Sequence, residues 1–112
     1  SFITPDQEHI LASAETGCDA VELHTGAYAN ARTDRAIERT LDAIRDGRDI
    51  ATAAGLIVHA GHGLTYRNIA PVAAIAGLCE FNIGHSIVAR AVLVGMREAT
   101  EEMIGLIEMF GE

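Results

Sequence analysis

Two apolar runs in this chain end alike, and that shared ending limits the folds open to it. Residues 56–60 (Leu-Ile-Val-His-Ala) are largely apolar and β-branched, then stop on Gly61-His62-Gly63. Residues 78–83 repeat the arrangement and stop on Gly84-His85, with Ser86 directly behind as a helix start. A short apolar run of this kind predicts a strand buried on both faces. Glycines at its end leave backbone N–H groups bare, and the histidine adds a titratable ring. Two such termini in succession, the second feeding a helix N-terminus, predict a site for an anionic ligand.

The remaining segments alternate with these strands. Phe2-Ile3 reads as the end of a strand, and Thr4, Pro5 and Gln7 have the pattern of a capping box. They start a helix striped by Ile10, Leu11 and Ala14 and ended by Gly17, with His9 on its solvated face. Residues 19–24 predict a strand with Ala20, Glu22 and His24 on one face, Val21 and Leu23 on the other. Residues 25–30 read as a loop long enough to bind something. Residues 33–54 predict a helix with Ile37, Leu41, Ile44 and Ala51 on its apolar side, weakened at Gly47 and closed by Gly55.

After the first Gly-His strand, Asn68 is expected to cap a short helix with Pro71 in its first turn and Gly77 at its end. A helix over residues 86–94 is broken by Gly95, and an amphipathic helix over 96–109 finishes the chain. Its Met103, Ile107 and Phe110 stripe suits a core or an interface.

Four strand–helix units with one additional helix predict an α/β fold of parallel strands joined by right-handed crossovers. A small doubly wound sheet and half of a (β/α)8 TIM barrel both satisfy that order. The first strand is not followed by Gly-x-Gly-x-x-Gly, which weighs against a dinucleotide site. Glu22, His24, His62, Gly84 and His85 fall at strand carboxyl ends, where barrel enzymes keep their chemistry, so the half barrel is preferred.

At 112 residues and 49% hydrophobic, the chain suffices for one domain with a real core. A net charge of −8 without a Lys or Arg run argues against nucleic acid and anionic membrane as partners. Backbone amides and a helix terminus can still attract a phosphorylated metabolite. Cys18 and Cys79 lack metal-ligand spacing and read as reduced core residues of a cytoplasmic protein. No signal peptide and no apolar run of membrane-spanning length is visible. The chain opens inside an apolar segment and is therefore expected to be a piece of something larger.

Three blocks carry a family resemblance. Val21-Glu22-Leu23-His24-Thr25-Gly26, Ala60-Gly61-His62-Gly63-Leu64 and Asn82-Ile83-Gly84-His85-Ser86-Ile87-Val88-Ala89-Arg90-Ala91, in that order and spacing, resemble the pyridoxine 5′-phosphate synthase family. The likeness runs the length of the chain but covers only the carboxyl-terminal half of that enzyme. It implies the last four βα units of a (β/α)8 barrel plus an extra carboxyl-terminal helix. The implied activity condenses 1-deoxy-D-xylulose 5-phosphate with 3-amino-2-oxopropyl phosphate, closing a pyridine ring with release of phosphate and water. It also implies a cytoplasmic homo-octamer working on phosphorylated small molecules without a cofactor or metal.

By resemblance, His62 is the proton donor, Gly63, Gly84 and His85 hold the phosphate of the amino-ketone, and Glu22 stabilises developing charge. The chemistry agrees with these roles. Repeated proton transfers suit a ring titrating near neutrality, and glycine lets amides approach phosphate. An inward carboxylate can stabilise iminium-like or protonated-amine intermediates. On pattern alone, a structural hydrogen-bonding role is the stronger reading of His62, which its flanking glycines and the resemblance reverse; for Glu22 a salt bridge to an interior cation is an equal reading.

His24 and His59 are read as structural or as supports behind the site residues. The family usually has Asn where His59 stands and Asp where Thr4 stands. Its general-base Glu, a further catalytic His, and the Arg and His that grip the second phosphate all belong to the amino-terminal half. Two other readings stay open: a different phosphate-handling barrel enzyme, and an isolated or engineered half barrel that binds phosphate and self-associates without turnover.

Overall fold

A computed structural model describes residues 2–3, 7–17 and 19–111. The expectations for Thr4, Pro5 and Cys18, and for the side chains of Gln7 and His9, lie outside the described residues. The elements run β1 (Phe2–Ile3), α1 (Gln7–Glu15), β2 (Ala20–His24), α2 (Gly26–Asn30), α3 (Asp34–Ala53), β3 (Ile57–Gly61), α4 (Ile69–Ala73), β4 (Leu78–Asn82), α5 (His85–Val94) and α6 (Met96–Phe110). The strands form one sheet in the order β1-β2-β3-β4, and each neighbouring pair is parallel. Chain order and sheet order coincide, as helical crossovers of one hand require.

Local chemistry accounts for the element boundaries. Thr33 begins α3 by accepting the Ala36 N–H on its hydroxyl at 3.1 Å, and Asp34 adds a favourable charge in the first turn. Gly55, at φ +81, supplies the left-handed residue that ends the helix. Between these ends Leu41, Ile44 and Ala51 are buried, so α3 lies along the sheet on the stripe its sequence presents.

Val21 and Leu23 on β2, and Val58 and Ala60 on β3, meet Ile10, Leu41, Ile44, Ile69, Val72 and Met103 from the helices in a single core. Each such aliphatic side chain contributes about 1.5–3 kcal/mol by leaving water.

The opposite face of the sheet is open, which corrects the expectation of strands buried on both sides. Ile57 is 50% exposed, and Glu80 and Asn82 are exposed. The helices of this chain cover one face only, so the run of apolar residues in β3 alternates between core and surface. Cys79 is a second correction: it is exposed rather than in the core. Val58 pairs with Leu78 and His59 with Glu80, so Cys79 is the extra residue of a β-bulge. The bulge turns both Leu78 and Phe81 toward the core and leaves Cys79 outside.

Residues 25–30, expected as a loop, are a third correction, since Gly26–Asn30 form the short helix α2 behind Thr25. Tyr28 anchors it by burying its ring and donating its hydroxyl to the Asn68 carbonyl at 2.5 Å. Asn68 precedes α4 without capping it. Its side chain turns backward, accepting the Thr65 N–H at 2.6 Å and donating to the Gly63 carbonyl at 3.1 Å. Among the described residues no helix is long and apolar enough to cross a membrane.

Candidate functional site

The carboxyl ends of β2, β3 and β4 border a cleft of about 310 Å³. Glu22, His62, Gly63, Gly84 and His85, the five residues singled out from the sequence, all line it, together with Asn82. They come from three strand ends separated by up to 63 positions, and the parallel sheet alone brings them to one edge.

The exit from β3 is the most constrained part. His62 has φ +93 and Gly63 φ +75. Glycine is required at 63, because a Cβ there would also lie 2.6 Å from the Ala29 Cβ. At His62 the left-handed backbone opposes a side chain and costs on the order of 1–3 kcal/mol. His62 is exposed, so no core burial offsets that cost. A strained, solvent-facing histidine at a cleft makes this position a candidate for function.

The turn is held by its carbonyls. Gly61 O accepts the Thr25 N–H at 2.9 Å, and His62 O accepts the Thr25 hydroxyl at 2.6 Å. Gly63 O accepts from the Asn68 amide at 3.1 Å, and Leu64 O accepts from the Ser86 hydroxyl at 2.8 Å. Four consecutive carbonyl oxygens are thus engaged by donors outside the turn. Lone pairs that would repel an anion are occupied, which suits a turn bordering a phosphate site.

The imidazole of His62 stacks on that of His24, with ring centroids 4.4 Å apart and planes 26° from parallel. His24 Nδ1 in turn accepts the Gly26 N–H at 3.1 Å. His24, read from the sequence as structural or as a support of the site, thus lies against a residue that lines the cleft. Thr25 and Asn82 had no role of their own from the sequence, and Asn68 and Ser86 only that of helix starts. Thr25, Asn82 and Ser86 lie inside the quoted blocks, but only the fold shows what they bond.

On β4, Asn82 donates its amide to Glu22 Oε1, joining the two strands that flank β3. Beyond it, Gly84 differs from Gly63: its φ is −124, and among the described residues a Cβ added there meets no atom within 4 Å beyond its chain neighbours. Neither backbone nor neighbours demand glycine at 84. It stands before α5, a ten-residue helix without a side-chain cap, whose first N–H groups have no intrahelical acceptor. His59 is not part of the cleft lining; it faces Glu80, Nδ1 to Oε2 3.3 Å, on the open side of the sheet.

No side chain of α5 is fully buried, but Ile87 packs against the core. Arg90 makes a two-pronged bond to Glu102 on α6 at 2.9 and 3.1 Å, and Tyr66 donates to the Ala99 carbonyl at 2.6 Å. Hydrogen bonding to Arg90 lowers the pKa of Glu102, and the same bond raises that of Arg90. Burial raises the pKa of Tyr28, and burial followed by the Glu102 charge raises that of Tyr66, so both hydroxyls stay donors.

Residues 1–109 match the family model described as pyridoxal phosphate biosynthesis protein PdxJ. The chain belongs to the PdxJ family. It is 52% identical over 106 residues to a pyridoxine 5′-phosphate synthase from Trichlorobacter lovleyi, covering 95% of this chain and 44% of that protein. It is 54% identical over 106 residues, with the same coverage, to one from Syntrophotalea carbinolica. With the Synechocystis enzyme it shares 53% over 102 residues, 91% of this chain and 42% of that one. The chain therefore spans less than half the length of these PdxJ relatives. The PdxJ match over residues 1–109 takes in all three sequence blocks.

Proposed function

We propose that these residues form the carboxyl-terminal half of a (β/α)8 barrel with pyridoxine 5′-phosphate synthase activity, the last four βα units plus α6. The substrates are 1-deoxy-D-xylulose 5-phosphate and 3-amino-2-oxopropyl phosphate, and the products are pyridoxine 5′-phosphate, inorganic phosphate and water. The observation that carries this reading is the convergence of Glu22, His62, Gly63, Gly84 and His85 on one cleft. In support stand the open sheet face, which an amino-terminal half would cover, and the synthase names of relatives about half identical to the chain.

Each residue has a physical task. The amides at Gly63 and at the start of α5, with the His85 ring, grip the phosphate of the amino-ketone. His62, held at the cleft on its strained turn, donates a proton to oxygen departing as water during ring formation. Glu22, aimed by Asn82, stabilises the cationic nitrogen of imine-like intermediates. The amino-terminal half brings the general base and the groups for the second phosphate. The completed protein works in the cytoplasm as a homo-oligomer, an octamer by analogy with the family.

The test is a full-length protein carrying these 112 residues, supplied with both substrates and assayed by mass spectrometry and phosphate release. Product of the mass of pyridoxine 5′-phosphate, lost in His62→Ala, is expected. An inactive wild-type protein, or product from another pair of phosphorylated substrates, contradicts the reading.

A further inference from the structure

We infer that His24 and Thr25 are positioning residues for His62: together they fix its backbone and the plane of its ring. The inference rests on the proposed proton-donor role of His62 and adds to it the groups that set its aim. Three contacts from one short segment reach this turn. The Thr25 N–H bonds Gly61 O, the Thr25 hydroxyl bonds His62 O, and the His24 ring lies against the His62 ring.

The segment is built for that contact. Thr25 is fully buried, the only polar side chain in the core among the described residues, and its hydroxyl goes to the one non-glycine residue with positive φ. Gly26 supplies the N–H that orients His24. A Cβ at Gly26 would collide with the His24 ring and lie 3.2 Å from His62 Cδ2, so glycine there is what lets the two rings stack.

A turn that only had to reverse the chain would carry glycine at 62, as it does at 63. The fold instead keeps a side chain in a disfavoured conformation and bonds its carbonyl from the core. General acid catalysis rewards that arrangement, because the proton must be delivered along a narrow direction, and a small misplacement costs up to about 100-fold in rate.

Thr25→Val keeps the volume and removes only the hydroxyl, while Thr25→Ser keeps the hydroxyl. In the full-length enzyme, Thr25→Val is expected to lower kcat about 10- to 100-fold, with the KM of both substrates within about threefold of wild type. Thr25→Ser is expected to restore kcat to within about threefold, with a thermal melt of each variant verifying the fold. Proton NMR of the substrate-free protein reads the geometry directly: the His62 ring resonances should move in Thr25→Val and return in Thr25→Ser, as the stack on His24 opens and reforms.

Wild-type kcat in Thr25→Val, or His62 resonances that do not move, overturns the inference. Failure of the synthase reading is distinct: it appears as an inactive wild type or a fully active His62→Ala, and the NMR comparison then decides the positioning claim alone.

Discussion

Asn82 on β4 hydrogen-bonds Glu22 on β2 across the end of β3, and Gly61 beneath them makes the crossing possible. A Cβ at Gly61 would lie 3.0 Å from Asn82 Cβ and 3.1 Å from Glu22 Oε1. The pair and the glycine therefore act as one unit. Gly61→Ala and Asn82→Ala are both expected to release Glu22 and lower kcat of the full-length enzyme about tenfold or more. Steady-state kinetics on the two variants checks this; wild-type kcat in both would show that the aim of Glu22 does not matter.

The strain at His62 gives a prediction that separates Gly from Ala. Both substitutions remove the imidazole, but only glycine accepts φ +93 without penalty. His62→Gly is expected to be more stable than His62→Ala by about 1 kcal/mol in urea denaturation, with both inactive. Equal stabilities would mean the turn relaxes once the ring is gone.

Much of this was legible in the residues, and the misses have physical causes. The alternation of Val21 and Leu23 with Glu22 and His24 gave β2 its two faces, and the Thr33 cap with Leu41, Ile44 and Ala51 gave α3. Residues 25–30 read as a loop because five helical residues are too few to show a period, and what holds them, Tyr28 on Asn68, is 40 positions away. Cys79 was misplaced because a bulge belongs to a strand pair, not to one strand's own pattern. The five cleft residues were found from Gly-His endings and the family blocks. Thr25 and Ser86 were missed because they bond carbonyls 37 and 22 positions away, which no local spacing reveals, while Asn68, expected as a helix cap, turns back to Gly63 instead.

Leu23 lies fully buried at the centre of the core, between β2 and the helices. Leu23→Ala removes its methyl groups and leaves a cavity, and the expected loss is about 2–5 kcal/mol. Denaturant titration of the full-length protein measures it, and a loss under about 1 kcal/mol would place Leu23 outside a tightly packed core.

The Arg90–Glu102 link sets a pH dependence with a definite sign. Hydrogen bonding to Arg90 lowers the folded-state pKa of Glu102, so the contribution is complete above the ordinary Glu pKa of about 4.3. It is lost as pH falls through the lowered folded value. Wild type should therefore melt slightly above Glu102→Gln near pH 7, the gap closing in acid; partial exposure of both side chains keeps it small. A gap that widens on acidification contradicts the assignment.

The central claim is that the ends of β3 and β4 hold a phosphoryl group on backbone amides, and Gly84 tests it most directly. Because a methyl group at 84 meets, among the described residues, no atom within 4 Å beyond its chain neighbours, Gly84→Ala leaves this half's packing intact. The decisive measurement is the KM of full-length Gly84→Ala for the amino-ketone phosphate, taken beside its melting temperature. An increase of about tenfold or more with an unchanged melt is the predicted result, since the ligand then meets what the protein does not. A wild-type KM would contradict the account.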